Sequence, residues 1–117
     1  MCGVFIDLEK AFDTVHHDIL LKKLEFYGIR GVCNQWFQSY LNNREQRVKL
    51  AGKTSAFKSV TCGVPQGSIL GPLLFLLYIN DMKNSVKHSI VHHFADDTNL
   101  LCNDKCDKKL KKNLIRI

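Results

Sequence analysis

The chain has 117 residues, of which 45% are apolar and 24% charged, a balance that suits a soluble globular fold and excludes a disordered tract or a fibrous repeat. Seventeen Lys and Arg against eleven Asp and Glu give a formal charge of +6, which favours polyanionic partners and is equally what a solvated basic surface would show. The five cysteines (Cys2, Cys33, Cys62, Cys102, Cys106) are odd in number and scattered, and MCGVFIDLEK lacks the basic flank and long apolar region of a secretory leader. A reducing intracellular compartment, nuclear or cytoplasmic, is expected rather than secretion.

The first element is a short β-branched and aromatic run, CGVFIDL, which reads as a buried strand ending near Asp7. HHDILLKKLEFYGI then carries Ile19, Leu20, Leu24 and Tyr27 at helical spacing, with Gly28 as a terminator. GVCNQWFQSYLNN repeats the pattern with Val32, Trp36, Phe37, Tyr40 and Leu41, and Asn42-Asn43 is its stop. EQRVKLAGKTSAFKSVTC offers two strand-like runs around Ala51-Gly52-Lys53, a hairpin with basic residues on its exposed positions.

GVPQGSILGP is a shaped loop opening into a helix capped by Ser68. The apolar ILGPLLFLLYI that follows is interrupted by Gly71 and Pro72 and falls well short of the ~20 residues of a membrane span. It is expected to be a core helix, with no membrane association. SIVHHFA, the pair Asp96-Asp97 and TNLLC read as a second hairpin, and a Lys-rich tail closes the chain. No internal repeat or linker divides it.

Asp7 at the end of one strand and Asp96-Asp97 at the tip of a neighbouring hairpin would bring three carboxylates together from distant points in sequence. Two unit charges about 4 Å apart repel by roughly 4 kcal/mol at an effective dielectric near 20. A hard divalent cation, Mg2+ above all, removes that penalty and prefers carboxylates together with substrate phosphates. Exposed strand ends and turns are the alternative, since Asp is favoured in turns for reasons unrelated to metals.

Three segments occur in a particular order: VFIDLEKAFDTV (4 to 15), GVPQGSILGPLLFLLYINDM (63 to 82) and FADD (94 to 97). Together they closely resemble motifs A, B and C of the reverse transcriptase palm, and the nearest likeness is to the non-LTR, LINE-type enzymes of jockey-like retrotransposons. The resemblance implies an α+β fold, a polymerase-palm-like antiparallel sheet with helices packed on one face. It also implies an RNA-directed DNA polymerase that joins a deoxynucleoside triphosphate to a primer 3′-hydroxyl by two-metal nucleotidyl transfer. Asp7, Asp96 and Asp97 would be the catalytic carboxylates and the ligands of two Mg2+ ions, for which Mn2+ could substitute.

Phe12 falls where the family has an aromatic steric gate against a 2′-hydroxyl, with a core Phe as the alternative. Gln66 would face the incoming nucleotide and template, and Gly67 would let backbone approach closely. Phe94 stands where many relatives have Tyr, so no phenolic hydroxyl is available there.

The partners implied are an RNA template, a DNA primer and a dNTP, with no membrane and no obligate protein partner. The family's fingers motifs would precede motif A, and its motif D lysine, primer grip and thumb would follow motif C. Residues 1–117 are therefore expected to be a partial reverse transcriptase domain, the palm with part of the fingers, inactive in isolation. Two other readings stay open: a non-catalytic retrotransposon remnant that at most binds nucleic acid through its basic hairpin and tail, and a zinc module using Cys102 and Cys106 with His88, His92 or His93.

Overall fold

A computed structural model of the chain describes residues 2–85 and 89–102. In chain order its elements are β1 (Cys2–Asp7), α1 (His17–Phe26), α2 (Val32–Leu41), β2 (Arg44–Gln46), β3 (Lys49–Leu50), β4 (Lys53–Thr54), β5 (Lys58–Val60), α3 (Leu70–Ile79), α4 (Met82–Ser85), β6 (Ser89–Phe94) and β7 (Asp97–Cys102). The fold is thus mixed α+β, as expected. It divides into two compact units, Met1–Ala11 with Ile79–Ile117, and Phe12–Tyr78. His88, Cys106 and the Lys-rich tail lie outside the described residues, so the zinc module and the tail are not represented. Among the described residues no helix is long and apolar enough to cross a membrane.

The first unit is built on a three-stranded antiparallel sheet in the order β1-β7-β6. Side chains alternate across a strand, and the accessibility follows that period. Val4, Ile6, Val91, His93, Thr98 and Leu100 share one face, on which Thr98 and Leu100 are fully buried. Phe5, Asp7, Ile90, His92, Phe94 and Asp97 share the other and are exposed. His92 and His93 therefore point to opposite faces and cannot both serve one ion.

The second unit begins with a segment that docks on a loop nearly fifty residues later. The Val64 amide donates to the Phe12 carbonyl at 2.8 Å and the Gly63 amide to the Val15 carbonyl at 2.7 Å. Buried His17 closes the seam, its Nε2 donating to the Gly63 carbonyl at 2.7 Å. A carbonyl can only accept, so Nε2 carries the proton. Val15, Leu20, Leu24, Leu41, Val64, Leu74 and Phe75 form the apolar interior of this unit.

Helix α1 ends as its sequence predicts. Gly28 adopts a φ of 96°, its amide donates to Glu25 and that of Ile29 to Leu24, the paired bonds of a Schellman ending. Asn34 of α2 donates to the carbonyls of Leu21 and Ile29, and Lys23 of α1 donates to the Tyr78 carbonyl at the far end of α3. Helix α2 forms where its spacing predicts but is largely uncovered. Of its apolar residues only Leu41 is buried, while Val32 is 80% and Trp36 54% exposed. Ten residues with aromatic side chains at adjacent as well as i, i+4 positions present more than one apolar face, and this unit covers only part of them.

The basic hairpin forms as two nested ladders, β2 with β5 and β3 with β4. Its tip is Ala51-Gly52, both with positive φ, 48° and 79°, the sign that a two-residue I′ turn requires.

Gly63 is the most constrained position in the seam. Its φ is 89°, and a Cβ there would lie 2.9 Å from the Asp13 backbone. Gly67 has a similar φ of 78° but open space around it. Gly67→Ala is therefore expected to cost about 1 kcal/mol of backbone strain, and Gly63→Ala at least about 2 kcal/mol because the seam must also open. Urea unfolding followed by circular dichroism checks the difference; equal losses would show that the close approach is unimportant.

Candidate active site

Asp7 is the last residue of β1 and Asp97 the first of β7, and the two are direct Cα partners in the antiparallel ladder. Residues directly opposite one another project to the same face, so both carboxylates stand on the exposed face of the sheet. The hairpin fixes this register. Phe94 pairs with Asp97 across a two-residue loop, Ala95-Asp96, and the row reads Phe94, Asp97, Asp7 from one edge of the sheet to the other. Asp96 occupies the second loop position and is half-buried.

Ala95 has a φ of 54°, a conformation that glycine usually provides at the first position of a II′ hairpin loop. A non-glycine residue held there costs on the order of 1–3 kcal/mol, and such strain gathers at functional sites.

The backbone therefore brings Asp7 and Asp97 together, with Asp96 as the residue next in chain. Among the described residues no three His, Cys, Asp or Glu side chains come together closely enough to hold a metal ion. What the strands supply is a facing carboxylate pair, the number of protein ligands that Mg2+ commonly takes when substrate phosphates complete its shell. The donor set fits that ion and not zinc, which favours nitrogen and sulfur.

Phe12, Gln66 and Gly67 belong to the second unit. The half-buried Phe12 ring packs on buried Phe75, with centroids 4.7 Å apart and planes tilted by 33°. Its ring is thus backed by Phe75 while the residue stays partly exposed. Pro65-Gln66-Gly67-Ser68 forms a turn closed by the Ser68 amide on the Pro65 carbonyl at 3.3 Å. A positive φ at the third position is what a type II turn demands, and Gly67 provides it.

Ser68 joins this turn to α3. Its hydroxyl donates to the Pro65 carbonyl at 2.7 Å and accepts from the Gly71 amide at 3.0 Å, the capping role its sequence predicts. Gly71 is needed for contact, since a Cβ there would fall 2.6 Å from the Pro65 oxygen. Gln66, at the apex, is exposed and donates from Nε2 to Asp13 Oδ1 at 2.9 Å.

Two residues that hold this loop were not singled out by sequence reasoning. Asp13 orients Gln66, and His17 anchors Gly63. Both lie within or just after VFIDLEKAFDTV, and the only signal was the His16-His17 pair opening a helix without a Ser, Thr, Asp or Asn cap.

Strands that oppose two aspartates, together with a glycine-shaped turn that opens an apolar helix, are the arrangement expected of motifs A, B and C. Comparison with known proteins agrees: the chain matches the family Reverse transcriptase (RNA-dependent DNA polymerase) over residues 1–117, and it belongs to that family. Its relatives include RNA-directed DNA polymerases of transposons and mobile elements. It is 32% identical over 125 aligned positions to the probable RNA-directed DNA polymerase from transposon BS of Drosophila melanogaster, covering 96% of this chain and 13% of that protein. It is 34% identical over 113 positions to the RNA-directed DNA polymerase from mobile element jockey of the same species, covering 88% of this chain and 12% of the relative. The chain thus spans about an eighth of the length of these relatives.

The facing carboxylates carry a measurable cost. Like charges directly opposite in a ladder are destabilising, by an amount in the range of about 0.2–1 kcal/mol. Asp7→Asn is expected to raise the thermal midpoint slightly in EDTA at low salt and to abolish stabilisation by millimolar Mn2+. A native chain that Mn2+ does not stabilise, or an Asn variant that it stabilises as well as the native chain, would argue against a cation between these strands.

Proposed function

We propose that this chain is the palm, with part of the fingers, of an RNA-directed DNA polymerase, in which the exposed face of the β1-β7-β6 sheet carries the chemistry. The observation that carries the reading is the Asp7–Asp97 register. It places on one face two like charges from opposite ends of the sequence, where repulsion disfavours them unless a cation is bound.

In the proposed reaction a primer 3′-hydroxyl attacks the α-phosphate of a deoxynucleoside triphosphate, and pyrophosphate leaves. Two Mg2+ ions, or Mn2+ in their place, would supply charge stabilisation for the phosphoryl displacement. Asp7 and Asp97 would hold them from facing strands, with Asp96 of the loop as the third carboxylate. Phe12, backed by Phe75, presents a ring edge against a 2′-hydroxyl. Gln66, steadied by Asp13, orients the incoming nucleotide against an RNA template, and Gly67 leaves the loop bare where nucleotide and backbone meet.

The test is a chimera in which these 117 residues replace the matching segment of a jockey-type polymerase. It is expected to extend oligo(dT) on poly(rA) with dTTP and Mg2+, and Asp97→Asn to slow extension roughly 100-fold or more, the scale of losing electrostatic stabilisation in a transition state. Undiminished extension by the Asn variant would overturn the assignment. The 117-residue chain by itself is expected to give no extension, because holding primer and triphosphate in reacting geometry is worth roughly 7 to 11 kcal/mol and the chain is only about an eighth of the relatives.

In the same chimera Phe12→Val should raise ribonucleotide incorporation relative to deoxyribonucleotide. It should also lower stability by about 1–3 kcal/mol through the lost contact with Phe75. Destabilisation with unchanged discrimination would make Phe12 a core residue only.

A further inference from the structure

Helix α2 and strand β2 carry an aromatic and basic strip that the proposed catalysis does not use. Trp36 and Tyr40 stack with centroids 5.5 Å apart and planes only 10° from parallel. The Arg44 guanidinium lies over the Tyr40 ring at 5.6 Å, extending the stack into the hairpin. Arg44 pairs with Val60 and Gln46 with Lys58, so Arg44 and Lys58, two positions along the ladder, share a face. Trp36, Arg44 and Lys58 are exposed. Residues 32–60 contain Arg44, Arg47, Lys49, Lys53 and Lys58 against the single acid Glu45.

We propose that the strip from Trp36 through Tyr40 and Arg44 to Lys58 is a stacking platform for a single-stranded polynucleotide, and this inference stands whatever the carboxylates do. Flat rings take bases of any identity and cations track the phosphates, a pairing that binds single strands with little sequence preference. A guanidinium already laid over one ring is suited to the next position, since its plane can stack on a base while its N–H groups reach a phosphate. An apolar protein partner fits less well, because five cations line the same segment. A duplex fits less well too, since its bases are already stacked on one another.

Trp36 is the only tryptophan of the chain, so its emission reports on this strip alone. The 117-residue chain would be titrated with oligo(rU) and oligo(dT) of about 20 nucleotides, following Trp36 emission and the anisotropy of end-labelled oligonucleotide. Binding with quenching, weakened by added salt, is expected, and the ratio of the two affinities tells RNA from DNA as the ligand.

Tyr40→Ala should lower affinity roughly 5-fold or more, the scale of one lost stacking contact. Arg44→Gln should lower it by a similar factor and Arg44→Lys by less. Arg47 stacks on Phe57 instead of the strip (4.7 Å), so Arg47→Gln removes the same charge and should cost less than about 2-fold. Circular dichroism confirms that each variant is folded. Equal losses at Arg44 and Arg47, saturation without quenching of Trp36, equal affinity for a duplex, or no binding would each overturn the proposal.

Discussion

The second unit depends on one meeting of backbones, that of residues 12–17 with 63–66. Two amide-to-carbonyl bonds and the buried His17 contact cross it, and all of them converge where Gly63 passes the main chain of Asp13 without room for a Cβ. Every feature of the candidate nucleotide loop hangs from that crossing. Val64 is held by Phe12, Gln66 by Asp13, and the Phe12 ring by Phe75 of the helix that the loop opens. Segments carrying motifs A and B are thus parts of one local structure despite their distance in sequence. The apolar helix α3 serves it by burying Leu74 and Phe75, while Ser68 and Gly71 press its first turn onto Pro65.

The first unit rests on a different kind of constraint, strand register. A two-residue loop leaves no freedom in how β6 pairs with β7, and β1 must then meet β7 with its hydrophobic side chains toward Thr98 and Leu100. Sliding β1 along β7 by one residue would turn Val4 and Ile6 outward. The pattern that buries the apolar residues is the one that sets Asp7 opposite Asp97, so the geometry of the acidic pair follows from burial elsewhere in the strands. Phe5, Ile90 and Phe94 are left 79%, 62% and 81% exposed on the acidic face. Their alternation with the buried row shows this exposure to be the cost of a single register satisfying both demands.

Much of this was legible in the sequence because it is encoded locally. The strand ending at Asp7, the Gly28 helix stop, the Ser68 cap and both hairpins each depend on a few neighbouring residues with a specific conformational preference. The order of VFIDLEKAFDTV, GVPQGSILGP and FADD identified the family where no single motif would have. What local pattern could not yield was contact between remote segments. Nothing in FDTVHH says that His17 will bond Gly63 or that Asp13 will hold Gln66. Helical spacing located α2 but not its burial: periodicity records that a face is apolar, not that something covers it, and Trp36 stays open to solvent.

The acidic pair and the basic hairpin are two local imbalances of charge in a chain whose other charged residues are of both signs. The chain is strongly basic overall, yet the exposed end of the β1–β7 pair carries two carboxylates that are direct cross-strand partners, while the segment from 32 to 60 carries five cations and one acid. A protein selected only for solubility would intersperse the two signs, which lowers the energy of both. Segregation raises the cost at the acidic end by like-charge repulsion and lowers it only when an external cation arrives. At the basic segment it is relieved only when an external polyanion arrives. Under the proposed function both imbalances would be relieved by one class of reactant, a nucleic acid strand with its metal-bound triphosphate, and that reading accounts for the basic segment as well as for the aspartates.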